Sequence, residues 1–224
     1  GWATEVLTMD SLVEMWLPHR EAFRLSSGLS KGILSDEAMI SLVNMPTSSG
    51  KSLIAEIAIL FELTKNPSCK AIWVVPSRAL VFEIQCRLSD RFRRIGISVS
   101  SLTGGLEADP DDAEVLSLPR VLILTPEKLD GLLRRHPNLL DLVHIVVVDE
   151  MQRIGETGRG FLFETVIAWL LLSIEQNHNL RLLFLSAVLP NRPEFEVWLG
   201  QQSSKFVSKW ITWRPTRLAL FETL

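Results

Sequence analysis

From residue 38 onward, short apolar stretches alternate with longer segments whose apolar residues recur at helical spacing. The apolar stretches predict strands at 39–44, 70–75, 97–102, 121–124, 144–148 and 181–185, and the segments between them predict helices at 51–65, 78–93, 126–135, 160–176 and 193–199. This alternation is typical of βαβ units, in which each helix crosses back over the sheet to the next strand. The pattern therefore predicts an α/β fold with a predominantly parallel sheet and helices on both faces.

The two ends of the chain depart from this alternation. Residues 1–37 predict a short helical extension that packs on the core, with Asp10 or Ser11 as an N-cap and Pro18 in the first turn of a second helix. After residue 199 the pattern weakens, and 210–224 is interpreted as a terminal strand and linker. We therefore expect one main domain over residues 38–209.

Composition narrows the class of protein. Hydrophobic residues make up 47% and the mean hydropathy is +0.22, which indicates a sheet buried on both faces or a surface that another domain covers. The net charge of −3 argues against a strongly basic nucleic-acid module but leaves room for local cations. Cys69 and Cys86 lack metal-ligand spacing, so a reducing, intracellular compartment, cytoplasmic or nuclear, is expected. The apolar runs 53–61 and 166–174 are too short to span a bilayer, and no membrane partner is expected.

The segment that follows the first strand has the chemistry of a phosphate-binding loop. Its residues are Pro46, Thr47, Ser48, Ser49, Gly50, Lys51 and Ser52. A polyphosphate needs converging backbone amides, a residue without a Cβ, a cation and a hydroxyl for Mg²⁺, and this spacing supplies them at the start of a helix. Met45 stands where the pattern G-x-x-x-x-G-K-[S/T] has its first glycine. The sequence predicts a nucleoside triphosphate site, with an ordinary turn as the alternative.

Two carboxylates follow the apolar strand at 144–148. Hydrolysis of a triphosphate needs one carboxylate to hold Mg²⁺ and another to accept a proton from the attacking water. Asp149 suits the first role and Glu150 the second. A helix cap is the alternative interpretation of an Asp-Glu pair in this position.

The carboxyl ends of all six predicted strands carry small, polar or acidic residues. In an open parallel sheet the ligand crevice lies beyond these ends, so the clusters should line one surface. They are Pro46-Thr47, Pro76-Ser77, Thr103-Gly104-Gly105, Thr125-Pro126, Asp149-Glu150 and Ser186-Ala187.

Taken in order, these segments resemble the motifs in the first RecA-like domain of superfamily-two helicases, nearest the superkiller-like and DEAD-box branches. The resemblance covers nearly the whole chain. The corresponding segments are 46–52 for motif I, 76–80 for motif Ia, 103–105 for the glycine pair, 125–128 for motif Ib, 149–152 for motif II and 186–188 for motif III. The resemblance implies a RecA-like, P-loop NTPase fold.

The resemblance also implies roles. ATP with Mg²⁺ would be the cofactor, with Lys51 on the β and γ phosphates, Ser52 and Asp149 on the metal, and Glu150 activating water. The partners would be single-stranded or partly duplex nucleic acid and a second RecA-like domain, whose arginines complete the site. The residues implied in nucleic-acid binding are Arg78, Gly104, Gly105, Thr125 and Lys128, and those implied in coupling are Ser186, Ala187 and Val188. The residues of motif I, Pro-Thr-Ser-Ser-Gly-Lys, resemble those of DNA-repair members slightly more, which favours DNA over RNA.

Three positions depart from the family pattern. Gln152 replaces the common His or Asp of motif II, and its amide can still donate and accept hydrogen bonds. Val188 replaces a Thr of motif III, which puts coupling of hydrolysis to strand movement in question. His19 stands where many relatives have an adenine-reading Gln, which leaves preference for ATP open.

Two other functions stay open at this stage. A non-catalytic, nucleotide-gated interaction module would retain binding and lose hydrolysis through the changes at Met45, Gln152 and Val188, although Lys51, Asp149 and Glu150 oppose it. A metabolite kinase is disfavoured because it leaves residues 103–128 and the Ser-Ala pair unexplained. As an isolated domain, the chain is expected to bind nucleotide and to hydrolyse it poorly.

Overall fold

The computed structural model describes residues 17–23, 32–36, 38–65, 68–102, 119–156, 160–189 and 191–212. Its seven described strands form one sheet, in which every pairing is parallel and the order is β3-β4-β2-β5-β6-β1-β7. The strands are β1 (Ile40–Asn44), β2 (Lys70–Val74), β3 (Val99–Leu102), β4 (Val121–Leu124), β5 (Val143–Val148), β6 (Arg181–Ser186) and β7 (Phe206–Trp210).

Six described α-helices accompany the sheet. They are α1 (Leu17–Phe23), α2 (Lys51–Lys65), α3 (Arg78–Arg93), α4 (Pro126–Arg135), α5 (Gly160–Gln176) and α6 (Arg192–Gln202). Two 3₁₀ turns, Pro137–Leu142 and Met151–Arg153, lie on either side of β5. Proline lies in the first turn of both α4 and α6, where its missing N–H costs no helical hydrogen bond.

The sheet is buried on both faces because its central strands send alternate apolar side chains to opposite sides. On one side, Val43 and Trp73 pack in a cluster with residues of α1, α2 and α3. On the other side, Leu42 and Val74 pack in a cluster with residues of α4, α5 and α6. These two layers explain why the strands read as continuous apolar runs rather than as alternating ones.

The structure confirms the predicted α/β class and the six predicted strands, with each boundary within two residues. The predicted helix at 193–199 is longer, since α6 covers Arg192–Gln202. A strand also precedes the predicted terminal segment 210–224, since β7 covers Phe206–Trp210 and pairs with β1. As an edge strand that is only half-buried, β7 mixes Ser and Lys with apolar residues and so lacks the apolar run by which the other strands were found.

The ends of the chain are described only in part. Of the predicted extension over residues 1–37, the structure describes α1 and residues 32–36, and these meet where Ile33 N donates to Ala22 O at 3.3 Å. Both side chains are buried in the cluster that contains α2 and α3. Asp10, Ser11 and residues 213–224 lie outside the described residues, so the proposed domain boundaries stay a prediction. No helix among the described residues has the length and apolar character needed to cross a membrane.

Candidate nucleotide-binding site

Three neighbouring strands bring the predicted nucleotide-binding segments together. β5, β6 and β1 are adjacent in the sheet, with Asn44 in register with Ser186 and Val148 in register with Phe184. The loop after β1, the acidic pair after β5 and the end of β6 therefore leave the sheet at one edge. This is the carboxyl edge at which open α/β sheets bind ligands.

The loop between β1 and α2 tolerates Met45 for an identifiable reason. Among the described non-glycine residues, only Ser48 and Glu150 have a positive φ, so the backbone at Met45 does not require glycine. The Met45 side chain is fully buried in the core, and its N–H donates to Ser186 O at 3.0 Å. The left-handed turn of the loop is instead made by Ser48, with φ of 60°, and by Gly50, with φ of 89°.

Lys51 is the buried cation of this loop. Its Nζ lies 3.2 Å from Met45 O and 3.4 Å from Pro46 O, at the N-terminus of α2. Burial lowers the pKa of Lys51, while the negative charges of Glu150 and Asp149 raise it. Those charges act on Lys51 because the acidic pair lies near the loop, which is the arrangement predicted from the sequence.

The other loop residues differ in exposure. Pro46 and Ser49 are buried, and Ser49 Oγ donates to Pro46 O, so this hydroxyl holds the loop closed. Thr47 and Ser48 are exposed at its tip. Ser52, the predicted metal ligand, is half-buried in the first turn of α2.

The acidic pair has the electrostatics of a cation site. Burial, with a further contribution from the charge of Glu150, raises the pKa of Asp149 to about 6. The Glu150 N–H donates to Asp149 Oδ1 at 2.9 Å, and Glu150 adopts the left-handed conformation with φ of 56°. Two adjacent carboxylates, one of them buried, are favourable when a divalent cation offsets their charge. Their carboxylate oxygens, like the hydroxyl oxygen of Ser52, are ligands of the kind that Mg²⁺ prefers.

Gln152 connects the acidic pair to the end of β6. Its Nε2 donates to Glu150 Oε2, and its Oε1 accepts from Ser186 Oγ at 2.7 Å and from Ala187 N at 3.2 Å. A single amide thus performs both the donating and the accepting roles that the sequence suggested for it. Val188 is 63% exposed and offers no hydroxyl to this network.

His19 lies against the phosphate-binding loop. It is buried on α1, with Nε2 3.1 Å from Gly50 O. Because a carbonyl oxygen only accepts, Nε2 carries the proton in this contact. A Cβ placed on Gly50 would lie 2.4 Å from His19 Nε2, so glycine is needed here for close approach as well as for φ. Burial lowers the pKa of His19, which favours the neutral imidazole.

The structure describes three of the five residues predicted to bind nucleic acid. Arg78 is exposed at the first position of α3, where Ser77 Oγ caps the helix by accepting from Leu80 N at 3.3 Å. Thr125 precedes α4 at the end of β4, which neighbours β2 in the sheet. Lys128 is only 4% exposed, so Arg78 is the better presented of the two cations. Gly104 and Gly105 lie outside the described residues.

Sequence reasoning missed a buried ion-pair group behind the site. Glu56 on α2 is 1% exposed and pairs with Arg91 and with Arg87, whose Nε lies 3.1 Å from Glu56 Oε1. The charge of Arg87 also lowers the pKa of Asp149, against the larger effect of burial. The two carboxylates in the apolar stretch of α2, Glu56 and Glu62, were the available signal, because a buried acid requires a cationic partner.

Comparison with known proteins places these features in a family context. The family model for DEAD/DEAH box helicases matches residues 29–195. Hachiman protein HamB of Bacillus cereus is 37% identical over 175 residues, which are 78% of this chain and 15% of that protein. ATP-dependent DNA helicase Hel308 of Pyrococcus horikoshii is 36% identical over 214 residues, which are 96% of this chain and 27% of that protein.

Solved structures agree on the fold. The DUF1998 helicase MrfA superimposes with a TM-score of 0.69 at 18% identity, covering 93% of this chain and 32% of that one. MrfA bound to DNA and AMPPNP gives a TM-score of 0.67. At this identity the likeness concerns the fold alone. The chain spans between 15% and 32% of the length of these relatives.

Proposed function

Because this chain belongs to the DEAD/DEAH box helicase family, we propose that it is the ATP-binding first motor domain of a nucleic-acid helicase or translocase. The observation that carries the proposal is the single charge cluster formed by Lys51, Asp149 and Glu150 at the carboxyl edge of the sheet. These three side chains come from two segments about a hundred residues apart, and chemistry on a triphosphate needs all of them in one place.

In this proposal the residues of the loop and of the acidic pair have separate roles, which follow from where each one lies. The backbone of residues 46–50 surrounds the phosphates, and Lys51 exchanges its carbonyl contacts for phosphate oxygens. Ser52 and Asp149 would hold Mg²⁺, which would supply neutralisation of charge on the terminal phosphates. Glu150 accepts the proton of the attacking water.

Gln152 positions the proton acceptor. Its hydrogen bond restricts the Glu150 carboxylate, and its contacts with Ser186 and Ala187 tie that orientation to the end of β6. A change in the segment after β6 therefore reaches the reacting carboxylate through one side chain. Because Val188 lacks the hydroxyl of threonine, the connection between the end of β6 and Glu150 depends more on Gln152.

We also propose that His19 reads the base. Its Nε2 proton is engaged by Gly50, so Nδ1 is the acceptor nitrogen of the ring. Nδ1 is itself buried, so the side chain must shift when the base binds, and the exposed acceptor then favours the exocyclic amine of adenine over the carbonyl of guanine. Replacing His19 by Gln, the residue of many relatives, should preserve preference for ATP over GTP, whereas His19→Ala should reduce it in a competition assay.

For the nucleic-acid partner we propose DNA, contacted by Arg78 and Thr125 along the sugar-phosphate backbone. Such contacts give binding without sequence preference. One relative supports the choice of DNA, since the name of Hel308 specifies a DNA helicase. A second RecA-like domain would complete the hydrolytic site with its arginines.

The direct test is calorimetry with ATP and Mg²⁺ on the wild-type chain and on Lys51→Ala. We expect binding heat from the wild type and its loss in the variant. Lys65→Ala, at the opposite end of α2, is the matched control and should bind like the wild type. Equal heats for wild type and Lys51→Ala would reject the nucleotide site.

The alternative is a nucleotide-gated interaction module without hydrolysis, favoured by the absence of a hydroxyl at Val188. Comparing the intact parent protein with its Glu150→Gln variant distinguishes the two. Loss of nucleic-acid-stimulated ATP turnover in the variant supports the motor. Equal turnover supports the module.

A further inference from the structure

A cavity on the face of the sheet opposite α2 borders the nucleotide site only through Gln152, and the proposed nucleotide chemistry does not use its interior. It measures about 550 Å³ and lies between α5 and α6. Gln152, Ile154, Gly155 and Leu189 form one part of its lining, and the two helices contribute the rest. Pockets that hold ligands or anchoring side chains are roughly 300–1,000 Å³, so the cavity is large enough to receive a partner group.

The α5 wall of the cavity continues along the helix as an exposed stripe. Glu164 and Ala168 line the cavity, and Phe161 and Leu172 extend the same face at spacings of three and four residues. Phe161 is 78% exposed and Leu172 is 56% exposed. On α6, Phe195 and Trp198 line the cavity. The result is an apolar groove along about three turns of α5.

The negative charge along the borders of the groove indicates the chemistry of the partner that would bind there. Glu164 and Glu194 line the cavity, and neither pairs with a described cation, nor does the described lining contain one. A second copy of the same face would bring these carboxylates together, which disfavours a symmetric dimer. A groove between two helices that combines apolar walls with acidic borders fits an amphipathic helix with a basic polar face.

We propose that the groove between α5 and α6 docks a basic amphipathic helix of a partner protein. Its apolar side chains, spaced three or four residues apart, enter the cavity. Its lysines or arginines meet Glu164 and Glu194.

Docking would also touch the nucleotide site. Gln152 lines the cavity and bonds to Glu150 and Ser186, so an occupant contacts the residue that links the two segments. This consequence rests on the proposed function, whereas docking itself does not. Lys51→Ala, which disables the nucleotide site, should therefore leave docking unchanged.

The test uses two synthetic peptides of about 15 residues with the same leucine and tryptophan stripe. One carries lysines on its polar face and the other carries glutamates. Fluorescence anisotropy with the 224-residue chain should show the basic peptide binding at least about tenfold more tightly than the acidic one. Reversing charge with Glu164→Lys and Glu194→Lys should abolish or invert this preference, and filling the cavity with Ala168→Trp should remove binding.

Asp90→Lys on α3 changes the net charge equally at a distant exposed site and should bind like the wild type. Amide hydrogen exchange of the unaltered chain provides a measurement that does not depend on folding of the variants. Protection by the basic peptide should fall on α5 and α6. Protection elsewhere, equal binding of both peptides, unchanged binding by the variants, or self-association blocked by Ala168→Trp would each overturn the proposal.

Discussion

Replacing Asp149 by Asn should stabilise the domain when no metal or nucleotide is bound. The substitution keeps Oδ1 as an acceptor for the Glu150 N–H and removes one buried negative charge. The pKa of Asp149 is about 6 in the fold against 3.8 for the unperturbed group, and each pKa unit is worth about 1.4 kcal/mol. The ionised carboxylate therefore costs the folded state about 3 kcal/mol at pH 7.5.

The sign of the pH dependence follows from the raised pKa. Below 3.8 the carboxyl is protonated in both states and costs nothing, and the full cost is present only above about 6. The stability gain in Asp149→Asn should therefore be about 3 kcal/mol at pH 7.5 and roughly half of that at pH 5. For a domain of this size the larger gain corresponds to roughly 6–12 °C in Tm.

Urea denaturation of both proteins at pH 7.5 and pH 5 in the presence of a chelator measures these differences. Asp141→Asn, an exposed aspartate in the 3₁₀ turn before β5, is the control and should change stability little at either pH. If Asp149→Asn is no more stable than the wild type at pH 7.5, the argument from burial is refuted. A gain that does not vary with pH would point to packing instead of charge.

Three further substitutions test other contacts. Gln152→Leu removes the link between the acidic pair and β6, and should lower nucleic-acid-stimulated ATP turnover of the intact parent protein by at least roughly tenfold while leaving the Kd for ATP nearly unchanged. Gly50→Ala should lower the free energy of unfolding by roughly 1–3 kcal/mol, because Gly50 has a φ of 89° and an added Cβ would collide with His19. Gly131→Ala inside α4 is the control and should leave the Tm unchanged or raise it in a melting experiment. Glu56→Gln removes the buried counter-charge of two partly exposed guanidinium groups, and the substitution should lower the free energy of unfolding by roughly 1–3 kcal/mol in urea denaturation.

The fold was predictable because burial on both faces imposes apolar runs on the central strands. The sequences of β1, β4 and β6 each contain such an apolar run. Segments with helical spacing of apolar residues lie between successive strands. β7 was missed because an edge strand needs burial on only part of its surface, so its sequence carries no such run. Strand order was also beyond prediction, since pairing of β1 with both β6 and β7 depends on contacts between distant segments.

For part of the candidate site, the sequence predicted which residues lie together, while their roles stay predictions. Lys51 and Asp149 lie in one charge cluster as expected, and the amide of Gln152 makes both kinds of hydrogen bond that its chemistry allows. The pairing of Glu56 with Arg87 was not predictable. It depends on how α2 packs beside α3, and the sequence spacing of the two residues gives no indication of that contact.

The cost of ionising Asp149 also predicts how nucleotide binding and stability are coupled. A divalent cation held by Asp149 offsets the charge that burial disfavours, so Mg²⁺ with nucleotide should stabilise the wild type by more than the binding of the nucleotide alone provides. The Asn variant starts from a more stable state and offers the cation a weaker ligand. The difference in Tm between the two proteins should therefore shrink or reverse when ATP and Mg²⁺ are added, and should persist when ATP is added with a chelator. A difference that is unaffected by the cation would place the metal elsewhere than at Asp149.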